Sequence, residues 1–179
     1  MIQIRRNVFE TNSSSSHSIS IRSDALMKEL GEDIYFTHDE MLDSLNLTKD
    51  GKFISYENDW YFGRAPFRPI DTFALRFMYA YASFAYDDES RAELISLLKE
   101  LVPECTSIAE PEWSGTDEPF LQGFMKKYNI TLREFLTNKK YIVIQDGDEY
   151  CIWDDLIASG LIDINSLDNK DEVKSYAEY

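Results

Sequence analysis

"PFRPIDTFALRFMYAYASFAY", residues 66–86, carries the strongest helical pattern in the chain, and the fold is read outward from it. Phe73, Phe77, Tyr81 and Phe84 recur at helical spacing, and the alanines between them allow close approach of neighbours. Asp71 stands at the capping position. Downstream, "DESRAELISLLKELVP" (88–103) puts Leu94, Leu97, Leu98 and Leu101 on one face and is ended by Pro103. "DEPFLQGFMKKYN" (117–129) and "TLREFLTN" (131–138) read as two further helices, with Thr131 capping the second. Between them and the preceding helix, 104–119 is a loop rich in acids and prolines.

Strand patterns lie towards both ends. "MIQIRRNVF" (1–9) and "HSISIRS" (17–23) alternate isoleucine with polar residues, and the turn formers "ETNSSSS" (10–16) join them into a hairpin. "KKYIVIQDGDEYCIW" (139–153) is a second hairpin, an apolar run followed by Asp-Gly at the turn. "SDALMKELG" (23–31) reads as a short helix closed by Gly31, "GKFISYENDWYFG" (51–63) as one or two strands, and "DDLIASGLI" (154–162) as a last short helix. The expectation is an α+β fold in one domain, 1–179. In it an N-terminal hairpin (1–22) and a C-terminal hairpin form a sheet, amphipathic helices fill the centre, and an acidic tail (168–179) trails.

With 44% hydrophobic and 14% aromatic residues the chain has ample core material. No apolar run is long enough for a membrane span, and "MIQIRRNVF" lacks the apolar centre of a signal peptide. Two cysteines, Cys105 and Cys151, without metal-like spacing fit a reduced, cytoplasmic setting. Charge says more. The formal net charge is −15, yet residues 1–22 hold Arg5, Arg6 and Arg22 against Glu10 alone. Residues 86–119 hold ten acids and two bases, and 146–179 repeat that ratio. Such a body is either merely soluble or an imitation of the regular negative charge of nucleic acid.

Three constellations could carry chemistry. Arg5, Arg6, Asn12, Ser13, Ser14, Ser15, Ser16 and His17 combine guanidinium forks for phosphate oxygens, hydroxyl and amide donors, and an imidazole that titrates near neutrality. Those are the ingredients of metal-independent RNA cleavage: a base for the 2′-hydroxyl, an acid for the leaving oxygen and donors for the phosphorane. Composition by itself reads the same residues as a solvated turn with His17 on a strand edge. "WYFGRAPFR" (60–68) sets Arg64 and Arg68 among stacking rings, which suits single-stranded RNA or equally a core entry. Asp146, Asp148, Glu149, Asp154 and Asp155 crowd together without the calcium-loop spacing, so surface charge is the better reading and no metal or other cofactor is expected. His38 has no partner in view and is read as a helix-start residue.

The stretch "IRRNVFETNSSSSHSISI" (4–21) resembles the opening signature of a family of phage and mobile-element proteins of Gram-positive bacteria. "YFGRAPFRPIDTFALRFMYAYA" and "TLREFLTNKKYIVIQDGDE" agree with it more loosely. At this length and acidity the chain is similar to streptococcal-type anti-CRISPR proteins directed at the type II effector nuclease. The resemblance implies that the serine run is functional rather than an arbitrary turn, and that the partner is the effector carrying its guide RNA. It does not supply individual roles; from the chemistry of the residues, His17, Arg5, Arg6, Ser14 and Ser15 are the expected catalytic set, and Asn12, Ser13 and Ser16, with Arg64 and Arg68 of the aromatic segment, the expected phosphate contacts. Two other expectations stand beside it: a stand-alone phosphate-handling nuclease or transferase, and a non-catalytic acidic mimic of nucleic acid.

Overall fold

The computed structural model describes residues 17–22, 27–28, 31, 34–54, 68–109 and 120–145, and within them the chain is α+β. In chain order the elements are β1 (His17–Ile21), α1 (His38–Leu45), β2 (Lys52–Phe53), β3 (Arg68–Ile70), α2 (Phe73–Ser83), α3 (Asp88–Leu101), β4 (Ser107–Ile108), α4 (Phe120–Tyr128), α5 (Leu132–Thr137) and β5 (Tyr141–Gln145). The outer arms of the two expected hairpins, residues 2–9 and 149–153, lie outside the described residues. So do the expected helix at 154–162 and the tail at 168–179.

The inner arms, β1 and β5, pair with each other. Their antiparallel register runs from His17↔Gln145 to Ile21↔Tyr141. On the other side of β5 lies β3, also antiparallel, from Arg68↔Gln145 to Ile70↔Val143. The sheet order is therefore β1-β5-β3. The central strand has the most continuous apolar sequence, "YIVI", as a strand flanked on both sides should. One row of the sheet, Ile19–Val143–Ile70, is wholly buried. Arg68–Ile70 is a strand that the sequence reads as part of a Gly/Pro-broken approach to the helix. Its Pro69 cannot donate to a ladder, and an edge position tolerates that loss. A second pair, β2 with β4, is parallel and only two residues long, and β4 falls inside what the sequence reads as loop.

The aromatic helix α2 is the hub: α1, α3, α4, α5 and β3 all pack against it. Hence it is buried on every side, with Phe73, Phe77, Tyr79 and Ala80 fully enclosed. Phe77 meets the edge of Phe53 at a centroid separation of 6.0 Å and lies 6.2 Å from Tyr81. Burying each such ring contributes on the order of 1.5–3 kcal/mol. Its cap is Thr72 rather than Asp71: the Thr72 hydroxyl accepts the Leu75 N–H at 3.3 Å. Asp71, one residue earlier, lies 3.7 Å from Arg22 instead. The other helix ends follow their sequences. Asp87 caps α3, with Asp88 and Glu89 in its first turn and Lys99 in its last, all favourable to the helix dipole. Thr131 and Glu134 form a reciprocal capping box on α5, and Thr37 and Glu40 form one on α1. On α3, Leu94 and Leu98 are fully buried while Leu97 and Leu101 sit half-buried at the rim.

Candidate functional site

The strand register decides what the sequence could not, namely which of the separated constellations share a neighbourhood. β1 and β3 run in the same direction, both opposite to β5. Their first residues, His17 and Arg68, both pair with the last residue of β5, Gln145. His17, Gln145 and Arg68 thus form one backbone row, two residues beyond the buried row Ile19–Val143–Ile70. Adjacent strands lie about 4.8 Å apart, so the Cα atoms of His17 and Arg68 are about 10 Å from each other. The chain enters β1 and β3 and leaves β5 at this one end of the sheet. Arg5, Arg6, Asn12, Ser13, Ser14, Ser15, Ser16 and Arg64 lie outside the described residues, as do Asp146, Asp148, Glu149, Asp154 and Asp155. In the chain, the serine run directly precedes His17, Arg64 precedes Arg68 by four residues, and Asp146 directly follows Gln145.

Behind this row the support is rigid. The buried residues Ile19, Val143 and Ile70 lock the three strands to the core formed by α2, and α4 also packs on β1. Tyr141, near the other end of β5, packs edge-on against Phe124 of α4 at 5.9 Å. A site built on strand termini held in this way keeps its spacing. Among the described residues no group of three His, Cys, Asp or Glu side chains gathers in metal-binding geometry. Likewise no described helix is long and apolar enough to cross a membrane.

A second titratable group departs from its sequence reading. His38 does begin α1, but it is not without a partner. Its Nε2 lies 3.1 Å from Glu104 Oε1, and its Nδ1 lies 3.3 Å from the carbonyl oxygen of Leu101 at the end of α3. With acceptors on both ring nitrogens the imidazolium is the better-satisfied form. Hydrogen bonding to Glu104, then to the Leu101 carbonyl, raises the His38 pKa, while Glu104 is held below the usual carboxylate range. The partners are 66 residues apart in sequence, so no local pattern announces the pair. Both are about half exposed, and the pair ties two helix ends together at the surface.

The face of α3 turned from the core is acidic. Asp88, Glu89, Glu93 and Glu100 are exposed along its length, with Glu104 just beyond its end. Of these, Glu100 is engaged by Arg133 of α5 at 2.6 Å and Glu104 by His38.

No known family, no curated protein and no solved structure matches the chain.

Proposed function

We propose that this protein inhibits a type II RNA-guided effector nuclease, and that it docks on the effector–guide complex and promotes cleavage of the guide RNA at the sheet end marked by His17. The observation that carries the chemistry is the single backbone row containing His17 and Arg68. These two residues belong to constellations read independently from the sequence, one for acid–base work and one for holding RNA. About 10 Å between their Cα atoms suits an imidazole and a guanidinium addressing one phosphodiester. In this reading the N-terminal hairpin extends the sheet along the free edge of β1, since β5 is already paired on both sides. His17 serves as general base or acid, Arg5 and Arg6 hold the phosphate, the run Asn12–Ser16 supplies hydroxyl and amide donors, and Arg64 and Arg68 receive the strand.

The effector as partner rests on the resemblance of the opening signature and on the distribution of charge. Guide and target lie in positively charged channels of such effectors. The exposed carboxylates of α3 supply a complementary face, and the same acidity disfavours free RNA, so cleavage is coupled to docking. That acidic face also supports a second reading, a stoichiometric nucleic-acid mimic without catalysis.

One experiment separates these readings. A type II effector loaded with labelled guide RNA is incubated with the wild type, His17→Ala, Arg68→Ala or an Arg5→Ala/Arg6→Ala double variant, and the RNA is resolved on a denaturing gel beside free RNA. A guide shortened by the wild type and left whole by the variants is the expected result. An intact guide with target cutting blocked would leave the mimic. Cleavage of free RNA without effector would make the protein a stand-alone nuclease.

A further inference from the structure

Arg76 is the one charged side chain buried among the described residues, and it is completely enclosed. An acid-rich chain would be expected to give such a cation a carboxylate. Instead, Arg76 spends one nitrogen on the end of α5: Nη1 donates to the Phe135 carbonyl at 3.2 Å and to the Asn138 carbonyl at 2.6 Å. The Phe36 ring lies 5.0 Å from the guanidinium carbon. The opposite edge of the guanidinium, formed by Nε and Nη2, is buried and makes no hydrogen bond. That edge is the bidentate fork with which arginine grips two oxygens of one anion.

Arg22 repeats the pattern at the same turn: its backbone N–H donates to the Lys140 carbonyl at 2.9 Å, two residues on from the Asn138 carbonyl that Arg76 holds. Its side chain is largely buried, and its Nε too makes no hydrogen bond. Its nearest carboxylate, Asp71, is 3.7 Å from Nη2, a loose ion pair on the half-exposed side of the cluster. Burial first, and then the positive charge of Arg22, weakens the hold of Arg76 on its proton, while the Asp71 carboxylate partly offsets this. Lys139, with its ammonium 5.5 Å from the Phe36 ring, adds a third cation and is matched by Glu40 at 2.8 Å. Three donor nitrogens of two desolvated guanidiniums therefore remain without an acceptor. Leaving charged donors so is costly unless an anion completes them.

We propose that Arg76 and Arg22 form a binding site for a tetrahedral oxyanion of the phosphate class. Arg76 Nε and Nη2 take two of its oxygens and Arg22 Nε a third. Three donors favour phosphate over a carboxylate, which has only two oxygens to offer. The site lies at the Ile21–Tyr141 end of the sheet, about 15 Å along β1 from His17, and stands whether or not the guide-cleavage reading does. Its ligand is either free phosphate or the terminal phosphate of a nucleotide.

The test is thermal unfolding of the full chain in inorganic phosphate, in AMP and in sodium chloride at matched ionic strength, with the 31P linewidth of phosphate as a direct readout. The midpoint should rise by about 3–6 °C for each tenfold increase of phosphate above its Kd. The 31P line should broaden with the wild type and stay sharp with Arg76→Lys, which keeps the charge and loses the fork. Should Arg76→Lys fail to fold, Arg22→Met leaves the Arg76 fork in place and should weaken phosphate about tenfold. A larger shift in AMP than in phosphate would identify a nucleotide terminus as the ligand, and a smaller one the free ion. An equal response to chloride, or undiminished broadening in the folded variants, would overturn the site.

Discussion

At position 51 a side chain has nowhere to go. Gly51 has φ +76°, in the left-handed region, and a Cβ there would run into the backbone carbonyl of Glu104 while meeting Thr106 Cγ2 at 3.0 Å. Gly51 O in turn accepts the Thr106 N–H at 2.8 Å, which starts the β2–β4 pair. Gly51→Ala should therefore cost at least about 1–2 kcal/mol from the backbone alone, read as a lowered urea midpoint with an unchanged slope. A neutral Gly51→Ala would show that this turn relaxes freely. His38 offers a different residue-scale test, because its effect depends on pH. The folded-state pKa lies above the unfolded value near 6.5, so its stabilisation is complete below pH 6.5 and disappears as pH rises through the folded pKa. Glu104, shifted the other way, stays ionised down through pH 5.5 and keeps the pair intact there. The gap in urea midpoint between wild type and His38→Ala should be widest at pH 5.5 and closed by pH 9. A gap that is the same at both would mean that the imidazole contributes only packing.

At the scale of elements, α2 carries the core, and the most damaging single truncation lies on it. Phe77→Ala removes a ring that is fully enclosed and touches Phe53 and Tyr81, so a loss of about 3–5 kcal/mol is expected by equilibrium denaturation. Thr131→Ala removes one half of the capping box on the short helix α5 and should cost about 1 kcal/mol. Partial rescue by Thr131→Ser would confirm that the hydroxyl acts through the cap. These elements were readable because their signals are local: aromatic spacing in α2, the leucines of α3, Thr131 before α5, and the apolar run of β5. The elements that the sequence hid are those defined by a distant partner. Arg68–Ile70 is a strand only because β5 lies beside it, and its proline argues against one. Ser107–Ile108 pairs with Lys52–Phe53 across more than fifty residues in a stretch composed like a loop. The same holds for the candidate site: His17 and Arg68 were each legible as chemistry, whereas their shared row depends on a register that no single segment encodes. Arg76 was legible least of all. Its burial comes from five packed elements closing around the helix, which no local pattern announces.

At the scale of the molecule, charge and site are separable. The −15 charge is spread over the body, while the chain up to Arg22 is basic on balance. A helix of 14 residues spans about 21 Å, so the exposed Asp88, Glu89 and Glu93 sit along roughly half of α3, with no ion pair to any of them among the described residues and their field open to solvent on that face. A field of that kind acts over a Debye length, about 10 Å at 0.1 M salt and 3 Å at 1 M. If docking on the effector is electrostatic, its association rate should fall at least about tenfold between 0.05 and 0.5 M salt, with little change in dissociation. Asp88→Lys combined with Glu93→Lys should imitate high salt at low salt and slow association, at a stability cost of about 1 kcal/mol from the reversed charge at the start of α3, since both positions are otherwise exposed. His17→Ala should do the reverse, keeping association and losing guide cleavage. Surface-plasmon measurements of the effector–guide complex against these variants distinguish the two functions. Salt-independent association would instead assign the contact to an apolar surface and remove the role proposed for α3.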